Sequence, residues 1–169
     1  MISTFHLFVK WYDENLITFI EIFKVHLDRY EYIINKNFLD YEFISKGPKG
    51  TVKKVIRFTI IAKNVYNLAF GDLNEVSGKI SDIIVTNNND SRKVLATVAA
   101  SVHDFTKQFP GAIILAKGST NSRTRLYRMG ITNYWKIISI DFEVYGLKGT
   151  QWELFELRQD YDAFLVYRK

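Results

Sequence analysis

One helical stripe constrains this chain more than any other feature. A polar run, Asn87-Asn-Asn-Asp-Ser91, leads into Val94, Leu95, Val98, Val102, Phe105 and Phe109, which share one face at helical spacing, and Pro110-Gly111 ends it. Ala96, Ala99 and Ala100 leave the same helix slim enough to lie close against a sheet. The polar run supplies the helix cap. The surrounding sequence reads as strand. Residues 41–45, 52–61, 64–70 and 79–86 are rich in β-branched and aromatic side chains, with turns at residues 47–50 and 71–74. Residues 112–116 form a short continuous apolar run, the mark of a buried strand. Further strands are expected at 142–145, 152–157 and 163–167. One long helix among short hairpin-linked strands predicts an α+β domain with a mostly antiparallel, twisted sheet. That sheet is packed by the helix over about 91–109 and by a short helix over about 121–129 stopped at Gly130, with a further helical turn near 134–138.

At 169 residues, 47% of them hydrophobic, the chain has material for one packed domain. We place that domain at residues 41–169, preceded by an N-terminal helical extension over 1–40. In the extension, Ile17, Ile20, Phe23, Leu27, Tyr30 and Ile34 follow Asp13 at steps of three and four, which predicts an amphipathic helix from 14 to 34. Lys10, Asp13, Glu14 and Glu21 interrupt the apolar run too often for a secretory signal or a spanning helix. The expectation is a cytoplasmic protein with no integral membrane contact. The chain contains no cysteine, which excludes disulfides, thiolate zinc sites, iron–sulfur clusters and cysteine nucleophiles. His6, His26 and His103 form no metal-ligating spacing, so neither a metal nor any other cofactor is expected. His103 beside Asp104 reads as an exposed helix pair. Asp72, Asp82 and Asp90 lie at strand ends and suit turns and caps.

The blocks YEFISKGPKGTVKKVIRF, NVYNLAFGD, RKVLATVAASV, KGSTNSRTRLYRMGI and DAFLVYRK span residues 41–169. On them the chain resembles a bacterial domain-of-unknown-function family, most specifically in the string from Lys117 to Arg128. The resemblance implies a shared fold and brings no activity with it.

Charge directs attention to the same string. Between Phe105 and Ile140 there are six basic residues (Lys107, Lys117, Arg123, Arg125, Arg128, Lys136) and no acidic one, while the remaining 17 basic residues are offset by 18 acidic ones. The net charge of +5 therefore originates in this segment. Uneven charge of this kind points to an anionic partner. A strand running through Lys117-Gly118-Ser119-Thr120 into a helix start would offer unpaired N–H groups and a positive dipole end, which suit phosphate. Arg123, Arg125 and Arg128 would add charged hydrogen bonds, and Tyr127 a stacking or proton-handling group. The expected binding set is thus Lys117, Gly118, Ser119, Thr120, Arg123, Arg125, Tyr127 and Arg128, for RNA, DNA or another phosphate-rich ligand. The competing reading is an N-capped helix whose arginines pair with acids of neighbouring strands. Tyr66, Tyr134, Trp135 and Trp152 are candidates to line a groove for bases.

Two further readings use the same residues. A metal-independent ribonuclease of the toxin type would draw on Lys117, Ser119, Arg123, Arg128 and Tyr127. A protein-interaction module of a bacterial defence or toxin–antitoxin system would use the apolar extension to contact a protein partner or a second copy of the chain. No acid–base pair of defined spacing identifies catalytic residues, so whether the protein is an enzyme stays open at this level.

Overall fold

The computed structural model describes residues 28–74, 76–81 and 88–169. In chain order its strands are β1 (Tyr32–Ile34), β2 (Asp40–Gly47), β3 (Gly50–Ala62), β4 (Val65–Leu73), β5 (Ile80–Ser81), β6 (Ile113–Ala116), β7 (Phe142–Lys148), β8 (Gln151–Leu154) and β9 (Ala163–Arg168). Its helices are α1 (Ser91–Gln108), α2 (Asn121–Asn133) and α3 (Trp135–Asp141). The strands form one sheet in the order β1-β2-β3-β4-β6-β9-β7-β8, with β5 paired to the end of β4. The architecture is α+β: a large, mostly antiparallel sheet with the described helices on one face.

One pairing is parallel. Strand β6 lies alongside β4 with Tyr66 opposite Ile114, because α1 intervenes in the chain and carries it back to the same end of the sheet. A reading built on hairpins contains no such crossover. The buried core lies between the sheet and α1. Phe105 stacks on Phe58 at 3.9 Å between ring centroids and meets Tyr66 edge-on at 4.9 Å. Leu95, Val98 and Phe105 of the predicted stripe are buried against Ile56, Leu68, Ile114 and Val166 from the alternate positions of four strands.

Several expectations are corrected here. The helix expected to continue to Ile34 gives way to strand: Tyr32, Ile33 and Ile34 pair with Phe43, Glu42 and Tyr41. Ile34 shares the helical stripe with Tyr30 and the strand alternation with Tyr32, and edge-on contact of Tyr32 with the buried Tyr41 decides for the sheet. The remainder of that helix, over 14–27, lies outside the described residues. The strand expected over 79–86 is described at Ile80–Ser81, and residues 82–87 lie outside the described residues. Gly130 does not stop α2, which continues to Asn133. A Cβ there would meet Leu95 Cδ2 at 3.3 Å, so the missing side chain lets α2 approach α1 closely. Asp90 is the N-cap residue of α1 by position, but its side chain makes no capping bond. Its carboxylate accepts from Ser45 Oγ at 2.6 Å and Tyr30 Oη at 2.8 Å, tying the helix start to the sheet instead.

Candidate functional site

Helix α2 begins where β6 leaves the sheet. Thr120, the N-cap, has extended backbone (φ −138°, ψ 160°), and its Oγ1 accepts a bond from the Arg123 amide at 3.3 Å. Gly118 folds beneath this turn. A Cβ on it would lie 2.3 Å from the Thr124 amide nitrogen, and its own N–H donates to Thr124 Oγ1 at 3.2 Å. The backbone freedom read at Gly118 is thus used by the helix's own first turn.

The basic residues of α2 meet three different fates. Arg123 is buried at 7% exposure; its guanidinium donates to the carbonyl of Phe70 at 2.8 Å and to that of Ser81 at 3.0 Å, fastening β4 and β5 beneath the helix. Arg128 is half-buried. It pairs with the carboxylate of Asp160 and donates to the Gln159 carbonyl at 3.3 Å. Arg125 is exposed and has no ion-pair partner among the described residues. Tyr127 turns inward like Arg123: its ring meets Phe70 edge-on and its hydroxyl donates to the Leu68 carbonyl at 2.9 Å. The ribonuclease set of Lys117, Ser119, Arg123, Arg128 and Tyr127 is therefore divided, with Arg123 and Tyr127 turned into the core. Lys117, Ser119 and Thr120 are all exposed.

The outward residues converge on an open groove of about 460 Å³ between α2 and the end of β7. Asn121, Thr124, Arg125 and Arg128 form one wall; Lys148, Asp160, Tyr161 and Asp162 form the other. Lys148 was not anticipated from the sequence, because the register of β7 alone brings it opposite α2. It too has no ion-pair partner among the described residues. The acids are partly committed already, Asp160 to Arg128 and Asp162 to the Gly149 amide at 3.1 Å. The side chain of Asp160 is 91% exposed even while paired, so solvent screens the pair and leaves it weak.

A second polar cluster lies elsewhere. His103 is not an exposed helix residue: its side chain is 16% exposed and lines a cavity of about 230 Å³ between α1, α3 and the segment leading into β1. Its Nδ1 is 3.5 Å from Asp104 and its Nε2 is 3.6 Å from Asp141, without a hydrogen-bond partner. Tyr32, 72 residues away in sequence, donates to Asp104 at 2.5 Å. The hydrogen bond from His103 is the main cause that holds the Asp104 carboxyl below the usual carboxylate range. Burial and the Asp104 bond raise the Tyr32 phenol far above its ordinary value. No spacing in the sequence links these residues; only the fold does. Among the described residues no group of three or more His, Asp or Glu side chains is arranged to hold a metal ion.

Of the aromatic candidates, Tyr66, Tyr134 and Trp135 pack against the core, while Trp152 stands 40% exposed on β8. No helix among the described residues is long and apolar enough to cross a membrane. No curated protein and no solved structure matches the chain. A model of DUF6934, a family of unknown function, matches residues 26–169, and the chain belongs to that family.

Proposed function

We propose that this member of DUF6934 binds a phosphate-rich polymer, RNA or DNA, in the groove between α2 and the end of β7. The observation that carries this reading is the pair of cations, Arg125 and Lys148, on opposite walls of one open groove and without an ion-pair partner among the described residues. Arg128 joins them by exchanging the exposed Asp160 carboxylate for a phosphate oxygen, to which a guanidinium binds through two parallel bonds. Lys117, Ser119 and Thr120 extend the contact along the exposed first turn of α2, where the positive dipole end and the side-chain donors face solvent. Arg123, Gly118 and Tyr127 build the helix that presents these groups.

Fluorescence anisotropy or gel-shift titrations against mixed RNA and DNA at several salt concentrations test the reading. Affinity is expected to fall steeply as salt rises, because each neutralised phosphate releases condensed counterions. Arg125→Ala and Lys148→Ala are each expected to weaken binding and lower the slope of log K against log salt by about 0.7–0.9, the equivalent of one phosphate contact. Absence of binding at low salt, or indifference to both substitutions, overturns it.

A further inference from the structure

We infer that the groove continues over the β7–β8 turn onto the sheet face opposite the described helices, so that the ligand is a single strand whose unpaired bases stack there on Trp152. This inference rests on the anion-groove reading and adds to it the form of nucleic acid that is bound.

Residues directly opposite one another in antiparallel strands share a face. Ile114, Val166 and Val144 are register partners and are buried beneath the helices. Their neighbours must therefore point the other way. Leu115 opposes Leu165, Leu165 opposes Tyr145, and Tyr145 opposes Leu154, giving one unbroken apolar row across β6, β9, β7 and β8. The next row toward the turn pairs Leu147 with Trp152. All three described helices lie on the opposite face, and this one leaves Trp152 at 40% and Leu154 at 61% exposure. A row of half-buried aromatic and aliphatic groups that ends in the exposed Trp152 and Leu154 is the kind of surface on which unpaired bases stack.

Continuity with the groove decides among possible occupants. Lys148, one wall of the groove, pairs in register with Gln151, the residue just before Trp152. The Lys148 ammonium and the exposed indole thus stand on adjoining register pairs at one end of the β7–β8 hairpin, on opposite sides of it. A strand whose phosphates lie against Arg125 and Lys148 reaches Trp152 by rounding that edge. On strands β6 to β9 the acid of this face is Glu143, about 13 Å along β7 from Leu147, the register partner of Trp152, at the usual rise per residue. There it accepts hydrogen bonds from the hydroxyls of Tyr145 and Tyr167. A duplex presents its stacked bases to one another and offers nothing to this face, so the surface selects single strands.

The full chain is titrated with oligouridine, oligothymidine and a duplex of equal length. Single strands are expected to bind about tenfold or more tighter than the duplex. Trp152→Ala is expected to cost about 5- to 150-fold in single-strand affinity, the range for loss of one stacked base, while leaving the salt slope unchanged. Trp152→Phe, which retains a ring, should recover most of that affinity, and Leu154→Glu should weaken binding without touching the groove. Both exposed positions tolerate substitution without loss of the fold, which circular dichroism verifies. Wild-type affinity in both Trp152→Ala and Leu154→Glu, or equal binding of the duplex, overturns the inference. If Arg125→Ala still weakens binding in that case, the groove stands without the sheet face. No binding of any probe at low salt removes both.

Discussion

Two sides of one helix carry nearly the same chemistry to opposite ends. On the inner side of α2, Arg123 and Tyr127 spend their donors on backbone carbonyls of β4 and β5. On the outer side, Arg125 has no ion-pair partner among the described residues, and the carboxylate that pairs with Arg128 is almost wholly solvated. A buried guanidinium must satisfy its donors or bear a large desolvation cost, so Arg123 is locked in place. An exposed one gains little from a surface partner and remains available to a ligand. The difference lies in the rotation of the helix, since Arg123 and Arg125 are only two positions apart in the sequence. Basic residues in a cluster are thus not one functional unit, and in α2 some of them hold the others in position.

Substitutions along the helix can break this contrast. The largest effect is expected from Arg123→Ala, which strips charged donors from the carbonyls of Phe70 and Ser81 and removes the tie from α2 to β4 and β5. A loss of about 3 kcal/mol is expected in urea denaturation; a loss below about 1 kcal/mol would place Arg123 with the outer residues. Tyr127→Phe removes one buried hydrogen bond while keeping the ring, and about 1 kcal/mol is expected. Arg125→Ala sits at the other pole. Its effect on stability is expected to stay within about 0.5 kcal/mol, while polyanion affinity falls clearly in the same sample. A comparable loss of stability would show that Arg125 is structural after all.

The smallest effect concerns pH and lies away from this helix. The folded Asp104 carboxyl is held below its ordinary value, chiefly by His103 and also by the Tyr32 hydroxyl. Its contribution to stability is therefore present above the usual carboxylate range and is lost as pH falls through its lowered value. Asp104→Asn is expected to flatten that part of the acid unfolding curve followed by circular dichroism. An unchanged acid limb would show that the His103 cluster does not contribute to folding.

Much of this was legible from residue order. The Val94–Phe105 stripe forms α1 with its apolar face inward, and the basic string from Lys117 does enter a helix capped by Thr120. These features are local: periodicity, a cap and a charge run need only neighbouring residues. What was missed is of another kind. Tyr30 and Ile34 fit a helical period, yet Tyr32 and Ile34 complete the sheet edge because Phe43 and Tyr41 offer buried partners on β2. Gly130 carries a stop signal that close packing against Leu95 overrides. Lys148 gave no sign of belonging to the groove, and His103 and Asp104 gave none of their contacts with Asp141 and Tyr32 across the cavity.

The sequence by itself determined the α+β class, the principal helix, the absence of cysteine chemistry and the location of the net positive charge. Those follow from composition and short-range spacing, which the chain carries wherever it goes. Tertiary structure alone decided which basic residues of α2 are buried on backbone carbonyls and which face solvent. That choice depends on how α2 is rotated against β4 and on where β7 ends, and both are set by core packing among residues far apart in the sequence.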